Sequence, residues 1–206
     1  NTELRIENNI WRLSDKTNYP ILKSNQFSTG FIFYKNGWTI DVDSYFKKIT
    51  GLTSYSNGFS NPFSNLSNGS SNVLGLDVLV KKRVNNYRVW LGYTYNEIDF
   101  TFKEIQINSF SGNNDITHNL KISNSYKMNN YHFALGWSYR SGEPYTPISN
   151  FNTSTKEVVF GNLNSKRLQA HHRLDASFRN DFILSIGKQK AKAQFGISAL
   201  NIYNRK

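Results

Sequence analysis

"NVLGLDVLVKKRVNNYRVWLGYTYNEIDF", residues 72–100, is the stretch on which the fold turns. Leu74, Leu76, Val78 and Val80 fall on one face of its first half, and Val89, Leu91, Tyr93 and Tyr95 on one face of its second. Only Asn85-Asn86 and their immediate neighbours separate the two runs. A period of two about a two-residue polar turn predicts a β-hairpin. The opposite face carries Asp77, Lys81, Arg83, Arg88, Trp90 and Asn96. The apolar face must therefore either cover a soluble core or meet lipid.

Composition narrows the choice. The 206 residues are 38% apolar and 15% aromatic, enough to bury a face, and 19% charged, too few for a disordered chain. A mean hydropathy of −0.57 excludes spanning helices, and no run approaches the ~18 apolar residues such a helix needs. It does not exclude a transmembrane barrel, in which only alternate strand residues meet lipid. With no cysteine there is no disulfide framework and no thiolate metal site. The net charge of +11 raises nucleic acid as a partner. Lys and Arg are scattered, however, with Lys81-Lys82-Arg83 the densest cluster, so a diffusely basic surface without nucleic acid is expected. The start "NTELRIE", with neither an initiator Met nor a signal peptide, reads as part of a longer chain.

Strand-like runs recur at 21–35, 38–49, 72–83, 87–97, 116–128, 131–140, 172–183 and 190–203, with one more short strand expected within 1–12. No segment has a helical period. The connections at 35–37, 85–86, 129–130 and 185–189 are short, whereas 50–71, 98–115 and 141–171 are long. All four prolines fall in loops, as ladder hydrogen bonding demands. Long strands with short turns at one end and long loops at the other are the pattern of an outer-membrane barrel. A sandwich usually shows shorter strands. Residues 53–72, rich in Ser, Asn and Gly, read as an extended loop.

Energetics assigns the faces. Asp41, Asp43 and Lys47 oppose Trp38, Ile40 and Val42, while Arg173, Asp175 and Arg179 oppose Leu174, Ala176 and Phe178. A Lys or Arg facing lipid near the midplane costs roughly 2–4 kcal/mol. Several together would exceed the ~5–15 kcal/mol stability of a domain, so the faces cannot be exchanged. Lys23, Lys48 and Lys82 share the apolar face but sit near strand ends, where long stems snorkel. Tyr93, Tyr95, Tyr126, Tyr131, Trp137 and Tyr139 lie towards the ends of apolar faces, where interfacial girdles form. Gly30, Gly75, Gly92, Gly136 and Gly196 fall on the polar face, marking curvature or close packing against the inner wall.

The segments "WRLSDKTNYPILKSNQFSTGF", "GWTIDVDSYFKKITGL", "GLDVLVKKR", "WLGYTYNEIDFTF", "DITHNLKISNSY", "GWSYRSGEPYTP", "HHRLDASFRNDF" and "GISALNIYNRK" occur in an order similar to that in TonB-dependent outer-membrane receptors. The form frequent in Bacteroidetes, with a carboxypeptidase-regulatory-like N-terminal domain, is the one the chain resembles most. The resemblance implies an all-β, antiparallel transmembrane barrel of about 22 strands, of which 1–206 would supply about eight from the C-terminal part. It further implies outer-membrane lipid, a plug domain, the remaining barrel strands and the TonB complex as partners. The activity implied is uptake of a scarce bulky nutrient such as an iron chelate, vitamin or oligosaccharide. The chain departs from the family pattern in having no plug, no TonB box and no terminal aromatic strand. Strand 21–35 enters a short turn and 190–203 leaves one, so both ends of the set are expected on the long-loop side, with further strands before and after. The rivals are a self-contained eight-stranded outer-membrane barrel and a soluble β-sandwich binding carbohydrate.

No enzyme is expected. His171 and His172, adjacent on a strand, point to opposite faces and cannot share an ion. Asp115 and His118 have no nucleophile within sequence reach, and His132 stands alone on the inner face. No cofactor or metal site is expected, since three converging ligands are needed. Lumen-facing ionic residues are Asp41, Asp43, Asp77, Arg88, Arg173, Asp175 and Arg179, expected to form cross-strand ion pairs or to meet a plug. Tyr55, Phe59, Phe63, Phe100, Phe102, Phe110, Tyr145 and Phe151, in long loops, are the candidate ligand contacts, with loop-to-loop packing the alternative.

Overall fold

The computed structural model describes residues 13–56 and 65–205. The expected strand within 1–12 and the candidates Phe59 and Phe63 lie outside the described residues, as does the side chain of Tyr55. Thirteen strands follow in chain order. The first seven are β1 (Lys23–Lys35), β2 (Trp38–Ser56), β3 (Asn65–Val84), β4 (Tyr87–Thr101), β5 (Phe110–Ser111), β6 (His118–Met128) and β7 (Tyr131–Arg140). The rest are β8 (Pro144–Tyr145), β9 (Ile148–Asn152), β10 (Glu157–Phe160), β11 (Lys166–Arg167), β12 (His171–Ile186) and β13 (Gln189–Ala199). No helix occurs among the described residues.

The eight long strands form one antiparallel sheet in the order β1-β2-β3-β4-β6-β7-β12-β13, with β5 added to β4. The pairs β9–β10 and β8–β11 make two small ribbons in the β7–β12 connection. Among the described residues the sheet stays open, since β1 and β13 each have one paired neighbour.

Turn chemistry fixes the hairpins. Asn36 and Gly37 both take positive φ, 48° and 75°, as a two-residue hairpin turn matched to strand twist requires. Asn85 (φ 48°) and Asn129 (φ 52°) adopt the left-handed region that Asn tolerates better than most residues. Register then follows without slippage. Phe31, Val42, Val78, Tyr93, Leu120, Tyr139 and His172 form one lateral row across seven strands. Phe33, Ile40, Val80, Leu91, Ile122, Trp137 and Leu174 form the row beside it. A shift of one residue in any strand would place charges among these side chains.

The polar stretch read as a loop is partly strand. Residues 65–71 extend β3, and β2 runs on to Ser56, with Ser54 paired to Ser67 and Thr53 to Asn68. Ladder bonds come from the backbone, so a Ser/Asn-rich ribbon forms without any apolar face to bury. A bulge between Thr50 and Leu52 turns the ribbon, at Gly51 with φ 78°.

Phe102, 7% exposed, is the one buried hydrophobic residue among those described. Among the described residues no second sheet covers the large one. Phe27, Phe31, Phe195 and Ile197 stand mostly exposed.

Candidate functional site

The two faces differ in kind. On the apolar face, which also carries Leu74, Leu76 and Leu135, charged strand residues occur only near strand ends, among them Lys23, Lys35, Lys48, Lys82, Glu97 and Asp99. Lys82 snorkels as its position requires: its Nζ donates to the Asn36 carbonyl at 2.8 Å and lies 4.6 Å from the Trp38 ring centroid. Tyr87, Tyr126 and Tyr131 mark the short-turn edge of the apolar band, and Tyr93, Tyr95 and Tyr139 its long-loop edge. Tyr87 to Tyr95 and Tyr131 to Tyr139 are both eight residues, or about 27 Å of strand. With barrel-like tilt this approaches the ~25 Å apolar band of outer-membrane barrels. Three of the six hydroxyls have side-chain partners: Tyr87 donates to Asn124 at 2.5 Å, Tyr95 donates to Glu97 at 2.6 Å, and Tyr93 shares a bond with His118 Nδ1 at 2.9 Å.

The opposite face holds the ionic residues. Arg173 pairs with Asp175 at 2.8 Å and Arg179 with Asp181 at 3.0 Å, both along one strand instead of across strands. His132, expected alone, pairs with Asp181 at 2.8 Å. Asp181 was missed although alternation from Arg179 puts it on the same face. Asp41, Asp43, Asp77 and Arg88 make no ion pair among the described residues. Asp77 accepts from the Thr94 hydroxyl at 2.6 Å, whereas Asp41 Oδ1 is buried without a partner. These three acids share a 320 Å³ recess with Lys121. At two of the five face glycines a cross-strand side chain lies over the backbone. A Cβ on Gly75 would overlap the Tyr45 ring, and one on Gly30 the Asp43 carboxylate. Beside Gly136 the space is open, so curvature and not contact is the reading there.

At the long-loop end, Phe100, Phe102 and Phe110 cluster with centroid separations of 6.2, 6.2 and 6.3 Å. Together with Ile98, Ile105 and Gly112 they line a 410 Å³ recess. Tyr145 and Phe151 are exposed on the neighbouring 141–170 connection and do not join them. What ties the two connections together is polar. Asp115, 0% exposed, accepts from Arg167 Nη2 at 2.7 Å, and Arg167 Nη1 donates to the Asp115 carbonyl at 2.7 Å and that of Gly142 at 3.2 Å. Asn164 Nδ2 donates to the Ser111 carbonyl and to Asn113 Oδ1, each at 2.7 Å. Asp115 is thus a structural clamp whose partner lies 52 residues away, a separation no sequence motif signals. Just outside the band, burial, and then the charges of Glu97 and Asp115, hold the Asp99 carboxyl above the usual range.

His171 and His172 do fall on opposite faces; His172 meets Arg205 and the edge of the Tyr203 ring. No group of three His, Cys, Asp or Glu side chains able to hold a metal ion occurs among the described residues. No protein-family model and no curated protein matches the chain.

Proposed function

We propose that the chain is part of the transmembrane barrel of a TonB-dependent outer-membrane receptor that takes up a scarce, bulky nutrient. The observation that carries this reading is the large apolar face. It is continuous over eight strands, is bordered by tyrosines on β4, β6 and β7, and has no protein layer over it among the described residues. Covering it with water would be costly at roughly 25 cal/mol per Å² of apolar surface, whereas lipid accepts it. A soluble sandwich needs a second sheet over that face, and a self-contained eight-stranded barrel needs β1 paired to β13; neither pairing forms among the described residues. On this reading the aromatic recess and the clamped connections face outwards, where a ligand first arrives. The resemblance in sequence to the receptor family supplies the energised-uptake part of the proposal.

The absence of cysteine makes a topology test clean. Single cysteines at Asn114, Asn86 and Asn130 avoid the strained positions Asn85 and Asn129. With the full-length protein in intact cells and an impermeant thiol reagent, position 114 should label and positions 86 and 130 should not. Equal labelling of all three on purified protein confirms access. Labelling of 86 and 130 in intact cells, or recovery of the protein in the soluble fraction, would sink the reading.

A further inference from the structure

At the short-turn end of the polar face, basic side chains gather on two neighbouring lateral rows, and two of them are opposed arginines. Arg83 faces Arg88 across β3–β4, Lys127 faces His132 across β6–β7, and His132 faces Arg179 across β7–β12. Directly opposed like charges destabilise a sheet. Among the described residues Asp181 is the single carboxylate that answers these rows, and it serves His132 and Arg179 only. Arg83, Arg88 and Lys127 have no ion-pair partner there. All five basic side chains line one recess of 960 Å³.

We infer that this basic cluster binds an extended, carboxylate-rich peptide segment. Its shape selects the class of partner. The basic residues lie on five adjacent strands of the sheet, β3, β4, β6, β7 and β12, and so span about 19 Å at roughly 4.8 Å per strand. A single phosphate covers one pair of side chains and leaves the rest opposed. An extended peptide presents same-face side chains every ~6.8 Å, so about three to four acidic residues at alternate positions reach along the ~19 Å that the basic side chains span. Neutral polar lining residues, among them Asn85, Asn86 and Gln194, suit its backbone. The inference deepens the receptor reading, on which the recess opens to the periplasm, but binding itself does not depend on it.

The test uses the full-length protein purified in detergent and a labelled peptide of about eight residues alternating glutamate and serine, with a glutamine–serine peptide as control. Arg83→Gln combined with Arg88→Gln should weaken binding of the acidic peptide on the order of tenfold. Lys103→Gln with Lys156→Gln, which removes the same charge at the long-loop end, should leave it unchanged. Equal weakening in both variants would reduce the effect to diffuse net charge and overturn the inference. So would tripolyphosphate competing as well, charge for charge, as the peptide. If the double arginine variant does not fold, Lys127→Gln should weaken acidic-peptide binding in its place, and unchanged binding there would overturn the inference equally. Peptide binding by a protein that fractionates as soluble would end the receptor reading and leave this one standing.

Discussion

Leu76 and Asp77 are neighbours in β3, and the sheet treats them oppositely. Leu76 lies between Ser44 and Tyr95 on a face that contains no charge away from its edges. Asp77 lies between Asp43 and Thr94 on a face where carboxylates, guanidiniums and recesses alternate. The apolar face is lined laterally by rows such as Phe33, Ile40, Val80, Leu91, Ile122, Trp137 and Leu174, which carry no charge. The polar face is uneven, acidic around β2 and β3 and basic at the short-turn end from β3 to β12. Unevenness of that kind is what recognition needs.

The sharpest way to break the contrast is to exchange the character of the two faces. Leu91→Arg, midway between Tyr87 and Tyr95, should lower the stability of the membrane-assembled protein by about 2–4 kcal/mol, Leu76→Arg beside Tyr95 should cost less, and Asp77→Asn should keep the Thr94 bond and cost little. Urea unfolding in vesicles measures all three. Equal effects would show that neither face meets lipid.

A smaller effect sharpens the view of the polar face as closely packed only in places. Gly75→Ala drives a methyl into the Tyr45 ring and should cost about 1–3 kcal/mol. Most of that should return in a Tyr45→Ala background, giving a coupling energy in a double-mutant cycle. Gly136→Ala, with open space at its Cβ, should be neutral by comparison. Equal losses at the two glycines would make curvature, not contact, their common role.

The smallest expected effect concerns the edge where the faces end. Burial, with Glu97 and Asp115 nearby, raises the Asp99 carboxyl in the folded state. A raised carboxyl favours the folded state while it is protonated, and that advantage fades as pH climbs through the folded value. Asp99→Asn should therefore raise the urea midpoint slightly at pH 7.5 and leave it unchanged below about pH 4, where the carboxyl is protonated folded or unfolded. A variant less stable at neutral pH would mean that Asp99 has a counter-charge.

Local chemistry determined the strands, their turns and which residues share a face, because alternation and Asn/Gly turns act within a few residues. Eight long strands and the hairpins at their short turns follow from that alone, and so does the segregation of Leu76 from Asp77. Tertiary structure decided the rest. Backbone pairing, indifferent to side-chain polarity, drew 65–71 into β3. It brought the locally paired Arg83 and Arg88 to the same end as Lys127, His132 and Arg179, gave His132 its partner Asp181, and buried Asp115 against Arg167. Those pairings join residues 49 and 52 positions apart, and only the sheet's register, a property of all the strands together, brings such distant charges within reach of one another.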